Sequence, residues 1–153
     1  MKFAADEMLG KLAKWLRIAG QDVFYKNKIS DKELVSLCQA ERRVLLTRDT
    51  LLISQCQGIR TLLIVSDHFR EQLKQVFTAF RLEPLSLAGS RCLLCNQELE
   101  EVAKEKVKDQ VPPYVFATQE SFWRCPGCQR LFWPGTHYQR MLKDLETLRE
   151  EGA

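Results

Sequence analysis

The sequence predicts an α/β fold, a parallel sheet flanked by helices, followed by a small cysteine-bearing unit. Short aliphatic runs alternate with helical periodicities up to about residue 82, which is the signature of βα repeats. Three of those runs finish at or close to an aspartate, and two Cys-x-x-Cys pairs stand beyond residue 90.

Size and composition set the frame. A chain of 153 residues suffices for one ordinary domain, or for a smaller one with a satellite. With 45% hydrophobic and 28% charged residues, the composition is that of a soluble globular protein. The net charge of +3, from 23 Lys and Arg against 20 Asp and Glu, says little about a partner, so the placement of charge matters more than its sum. The opening residues do not form a signal peptide, and apolar runs such as Leu62 to Val65 are too short to span a bilayer. An intracellular, cytoplasmic protein without a membrane partner is expected. Six cysteines in that compartment argue for metal rather than for a disulfide framework.

Lys2 to Ala5 is a strand candidate ended by Asp6. From Glu7 the period becomes helical through Leu9, Leu12, Ala13, Leu16 and Ala19, and Gly20 stops it. Lys11, Lys14 and Arg17, three apart, form one basic ridge, either a solvated face or a phosphate contact. Asp22 to Tyr25 is a second strand and Lys26-Asn27-Lys28 a basic loop. Ser30-Asp31-Lys32-Glu33 matches a capping box, which starts a helix running to about Arg42 on Leu34, Leu37 and Cys38. Cys38 belongs to the core, and Asp31 in the first turn is accounted for by the helix dipole. Val44 to Thr47 reads as a buried strand that stops at Arg48 and Asp49. Leu51 to Cys56 is a short helix ended at Gly58, and Thr61 to Val65 another buried strand. Ser66 or Asp67 caps the helix carried by Phe69, Leu73, Val76, Phe77 and Phe80.

In a parallel sheet this order places Asp6, Asp49 and Asp67 beyond the carboxyl ends of strands, where open α/β sheets bind ligands. Carboxylates gathered at one edge stay ionised together only with a cation. Hard oxygen ligands suit Mg²⁺ or Mn²⁺, ions that activate water and steady attack on a phosphodiester. No Ser-His pair or glycine-rich phosphate loop in the sequence offers another mechanism.

The rhythm breaks at residues 83–90, so a domain of residues 1–88 and a second of 89–153 are expected. Cys92, Cys95, Cys125 and Cys128 form the ligand set of a tetrahedral structural zinc. The long gap between the pairs implies an insertion, read as a polar helix from Leu99 to Val111 before Pro112-Pro113. Leu131 to Arg140 is aromatic and basic: Phe132 and Trp133 are taken as core, while His137 and Arg140 suit the core of this small unit and nucleic acid equally. Met141 to Arg149 is a polar helix with Leu142, Leu145 and Leu148 as its apolar stripe.

The run Phe3-Ala4-Ala5-Asp6-Glu7-Met8-Leu9-Gly10-Lys11-Leu12-Ala13-Lys14-Trp15-Leu16-Arg17, with Ser30-Asp31 and Leu46-Thr47-Arg48-Asp49, resembles the Mut7-C ribonuclease family, a branch of the PIN-like nucleases. Cys92-x-x-Cys95-Asn96, Cys125-Pro126-x-Cys128 and Trp133-Pro134-Gly135-Thr136-His137 resemble the zinc ribbon that follows the nuclease domain in that family. The resemblance implies a PIN-like sheet with a C-terminal zinc ribbon and Mg²⁺- or Mn²⁺-dependent hydrolysis of RNA, expected to be single-stranded. It implies Asp6, Asp31 and Asp49 as metal ligands, with Asp67 or Glu7 as the further acid. Lys11, Lys14, Arg17 and Arg48 would then position phosphates, and His137 and Arg140 would extend the RNA-binding surface. The alternative is a non-catalytic nucleic-acid-binding or adaptor protein with a structural zinc, its acids serving only as helix caps.

Overall fold

The architecture is that of a computed structural model, which describes residues 1–83 and 89–152. Four strands, β1 (Lys2–Ala5), β2 (Asp22–Phe24), β3 (Val44–Thr47) and β4 (Thr61–Leu63), form a wholly parallel sheet in the order β2-β1-β3-β4. The central pair β1 and β3 is covered on both faces, which is why both strands read as unbroken apolar runs. Phe3, Ala5, Val44 and Leu46 face one core with Leu12, Leu16, Leu73 and Phe77. Ala4 and Leu45, one residue out of phase, face the other with Leu34, Cys38 and Leu52. Helices α1 (Gly10–Ile18) and α4 (Phe69–Phe80) thus cover one face, and α2 (Asp31–Glu41) and α3 (Thr50–Gln55) the other. Cys38 lies in that second core as expected, and burial pushes its thiol up to about 11.

From β1 the chain crosses outward to β2, then returns over the opposite face to β3. The winding therefore reverses between β1 and β3, and the crevice of such a sheet opens there. The buried strand expected over Thr61 to Val65 is shorter, because β4 is an edge paired only with β3. Ile64 still reaches the core, but Val65 is exposed.

The second unit is an antiparallel sheet of β5 (Glu100–Val102), β6 (Phe122–Arg124) and β7 (Leu131–Phe132), with α5 (Pro113–Thr118) inserted between β5 and β6. The polar helix expected from Leu99 to Val111 does not form. Its first residues pair with β6 instead, a single 3₁₀ turn (Lys104–Val107) follows, and the helix starts only at Pro113, a residue suited to a first turn. Ladder bonds from β6 override the local propensity of Glu100 and Glu101. The expected boundary between residues 88 and 89 adjoins residues 84–88, which lie outside the described residues.

The C-terminal helix α6 (Thr136–Gly152) packs along α4. Leu145 and Leu148 are buried in the same core as Leu73, Val76 and Phe77, and Arg70 and Lys74 pair with Asp144 and Glu151 across the helices.

Polar contacts bolt the two units together. Arg17, on the ridge shared with Lys11 and Lys14, points inward and is only 5% exposed. Its Nε and Nη2 donate to the Val23 carbonyl at 3.0 and 2.8 Å, and Nη1 donates to the Leu93 carbonyl at 2.6 Å. Asn96 completes the seam: the Val23 amide donates to its Oδ1, and its Nδ2 donates to Asp22. Burial alone would raise the Asp22 carboxyl, but hydrogen bonds from Arg43 and Asn96, with the charge of Arg43, outweigh this and hold it below its ordinary value of 3.8.

Arg17→Leu should lower the unfolding free energy by about 3 kcal/mol, since it strands two buried carbonyls, whereas Lys14→Gln should change it by less than about 0.5 kcal/mol. Urea denaturation measures both. A carboxyl lowered on folding contributes stability above its unfolded value that is lost as pH falls through the folded one. The advantage of the native protein over Asp22→Asn in urea midpoint should therefore be full above the ordinary carboxyl value of 3.8 and shrink as pH falls below it.

Candidate functional site

Two acids flank the reversal point of the sheet. Asp6 follows β1 directly: its amide donates to the Leu46 carbonyl at 3.0 Å, and its Oδ1 accepts from the Met8 amide at 3.3 Å, capping the 3₁₀ turn Glu7–Leu9. Asp49 caps α3 through Oδ1 alone, accepting from the Leu51 and Leu52 amides at 2.9 and 3.3 Å. Between them lies Thr47, the fully buried last residue of β3. Its hydroxyl donates to Asp6 Oδ2 at 2.7 Å and accepts from the Asp49 amide at 3.0 Å. One hydroxyl thus fixes both acids relative to the sheet. Sequence reading did not assign Thr47 a role; the available signal was a hydroxyl at the end of an otherwise apolar strand, where a buried donor must find an acceptor.

The remaining acids are more loosely placed. Asp31 is exposed in the first turn of α2, behind the Ser30 cap, whose Oγ accepts from the Glu33 amide at 3.2 Å. Asp31 lies near enough to Cys56 to add to the burial that raises that thiol. Glu7 and Asp67 are exposed. Asp67 does not cap α4, whose cap residue is His68; instead Ser66 Oγ accepts from the His68 amide. Asp6, Asp31, Asp49 and Asp67 all follow carboxyl ends of parallel strands, so the topology places them along one edge.

The bases divide in the same way. Lys11 and Lys14 are exposed on α1, while Arg17 is buried and holds carbonyls, which removes it from any surface that could meet phosphate. Arg48 lies between the acids and the end of β4, its Nη2 3.5 Å from the Val65 carbonyl and its Nε buried without a partner. His137 and Arg140 are exposed on the first turns of α6.

The cysteines converge as the acids do not. Their four Sγ atoms lie within 4.8 Å of one another, the only such set of His, Cys, Asp or Glu ligand atoms among the described residues. Cys92 and Cys128 stand 3.7 Å apart, close to the ~3.8 Å edge of a tetrahedron built on Zn–S bonds of about 2.3 Å. Both pairs use the same turn. The Cys92 amide donates to the Gln97 carbonyl and the Asn96 amide to the Cys92 carbonyl; Cys125 repeats this with Arg130 and Gln129. Asn96 and Gln129 both take left-handed backbone, at φ 64° and 65°. The backbone hydrogen bond from Arg130 draws the Cys128 thiol down to about 7, while hydrogen bonding with Cys128 pushes Cys95 up to about 12. Four thiols this close cannot all ionise without a cation, and a metal such as zinc fits the donor set.

A family model described as Mut7-C RNAse domain matches residues 1–145. The chain belongs to the Mut7-C family. The match runs through both the sheet and the cysteine unit. No curated protein and no solved structure matches the chain. No helix among the described residues is long and apolar enough to cross a membrane.

Elemental analysis of protein purified without chelator should find about one zinc per chain, and Cys92→Ser should lose most of it. Chelation should also lower the melting temperature of the whole chain, because Leu93 and Asn96 of the first cysteine turn are bonded into β2 and α1.

Proposed function

We propose that this Mut7-C protein is a divalent-metal-dependent ribonuclease with a PIN-like catalytic domain and a structural zinc ribbon. The observation that carries the reading is the Asp6–Thr47–Asp49 linkage at the reversal point of the sheet. Two acids tied to one buried hydroxyl, Asp6 by its carboxylate and Asp49 by its backbone amide, suit Mg²⁺ or Mn²⁺, which take one or two protein carboxylates and keep the rest of their shell for water and phosphate oxygens. Asp49 uses only Oδ1 in its helix cap, so its second oxygen suits an ion. Such an ion supplies an activated water and charge stabilisation at the phosphodiester.

The chain's own groups do the rest. Thr47 keeps Asp6 and Asp49 in a fixed relation, so that little reorganisation accompanies the reaction. Asp31 is the third ligand proposed, with Asp67 or Glu7 completing the acidic edge. Lys11, Lys14 and Arg48 would hold backbone phosphates of a single RNA strand, with His137 and Arg140 on the ribbon side. Arg17 takes no part in phosphate binding in this proposal.

A binding or adaptor role is the second reading, favoured by the use of Asp6 and Asp49 as helix caps. The two separate in one assay with labelled single-stranded RNA and Mn²⁺. Asn caps a helix as well as Asp does, so Asp49→Asn should keep the fold and reduce cleavage at least ~100-fold. Thr47→Val should reduce it about tenfold or more. Cleavage that survives Asp49→Asn or withdrawal of the divalent ion contradicts the mechanism, and binding without cleavage establishes the adaptor.

A further inference from the structure

Two hollows flank α1 and share the walls Ile18, Leu93 and Met141. The first, about 650 Å³, runs past Gly10, Lys11 and Lys14 beside Tyr25 and Asn27. It begins at the acidic edge: Tyr25 Oη donates to the Glu7 carbonyl at 2.7 Å, inside the turn that Asp6 caps, and packs so closely that a Cβ on Gly10 would come within 2.8 Å of it. The second, about 270 Å³, lies where α1, the first cysteine turn, β7 and α6 meet, with Phe132, Trp133, His137 and Tyr138 in its wall.

The two hollows differ in chemistry. Among the described residues neither Lys11 nor Lys14 has an acidic partner, and the Lys11 ammonium rests 3.9 Å from the centre of the Phe69 ring. A polyanion in this groove meets two cations that no carboxylate neutralises. The inner hollow is walled mostly by carbon and by aromatic rings, a lining that accepts a flat base, and the cation in its wall, Arg91, is already bonded to the Asn96 carbonyl and Glu98. Sites of this kind favour junctions between domains.

We infer that the inner hollow is a nucleobase pocket. It takes one unpaired base of an RNA strand whose backbone follows Lys14 and Lys11 toward Asp6. Only the identity of the strand as substrate rests on the ribonuclease reading. Gly10 and Ile18 are separated by about 12 Å of helix rise, so the seated base lies a few nucleotides from the phosphate at the acids. The cysteine unit then fixes the position of cleavage relative to the held base.

The test is an abasic scan. Binding of a fluorescent single-stranded RNA ten-mer to the native protein is measured by anisotropy without added Mg²⁺ or Mn²⁺, one position at a time lacking its base. Removal of the base at one position should weaken binding about tenfold, and its neighbours should matter less. Met141→Trp, which fills the wall shared by the two hollows, should erase that difference, so that intact and abasic strands bind alike. Lys14→Gln should weaken both strands equally and flatten the salt dependence. A flat scan, or a base preference that survives Met141→Trp, overturns the pocket. If RNA is still cleaved while the scan is flat, the pocket fails and the ribonuclease reading stands. A position-dependent scan in a protein that never cleaves leaves the pocket standing without the nuclease. No binding of any strand overturns the pocket, and if RNA is also left uncleaved with Mn²⁺ both readings fail.

Discussion

A guanidinium enclosed by protein must have its N–H groups satisfied, and at Arg17 the acceptors come from distant parts of the chain. The Val23 carbonyl belongs to the outer strand β2 and the Leu93 carbonyl to the first cysteine turn. Burial pulls the pKa of Arg17 down, while Cys92 and Cys95 push it back up, so the cysteine cluster stands close enough to act on its charge. Four thiolates around Zn²⁺ carry a net charge of about −2. A buried cation beside them is electrostatically matched to the metal-loaded state. The same residue therefore bonds to β2, seats the cysteine turn and bears on the charge environment of the cysteine cluster.

That junction joins the two units by a set of polar contacts. Ser90 donates to the Ile18 carbonyl, the Arg91 amide donates to the Arg17 carbonyl, and Asn96 reaches Val23 and Asp22, so the end of α1 and the start of β2 carry the whole seam. From the other side, Leu145 and Leu148 of α6 enter the core beneath α4. The chain leaves the sheet domain, forms the cysteine unit and returns to the sheet domain. Metal at the cysteines is thus linked to the stability of a sheet that contributes none of its ligands.

Much of this was legible in the sequence, and the rest was hidden for physical reasons. The aliphatic runs at Phe3–Ala5 and Val44–Leu46 declared central strands because both of their faces are buried, and Asp6 and Asp49 stood out as carboxylates at the ends of such runs. The cysteine pairs declared themselves by spacing. Arg17 did not: its three-residue spacing from Lys14 suggested a shared exposed face, and only the partner carbonyl of Leu93, 76 residues away, turns it inward. The segment from Leu99 misled for a related reason, since its strand exists only because β6 offers a ladder. Thr47 looked like another strand residue, since a hydroxyl's role depends on what it faces across the sheet.

The position of Thr47 bears on why the acids sit where they do. As helix caps, Asp6 and Asp49 would satisfy their backbone amides from either side of the sheet edge, and neither needs the other. The Thr47 hydroxyl removes that independence: it donates to the Asp6 carboxylate while accepting from the Asp49 amide, so a change in one acid's position is felt by the other through a single fully buried side chain. A valine there would pack the strand but leave the Asp49 amide and one Asp6 oxygen without this partner. In the proposed ribonuclease the same link would hold the two acids ready for a common ion. The linked acids stand at the place where a parallel sheet of this winding opens its crevice.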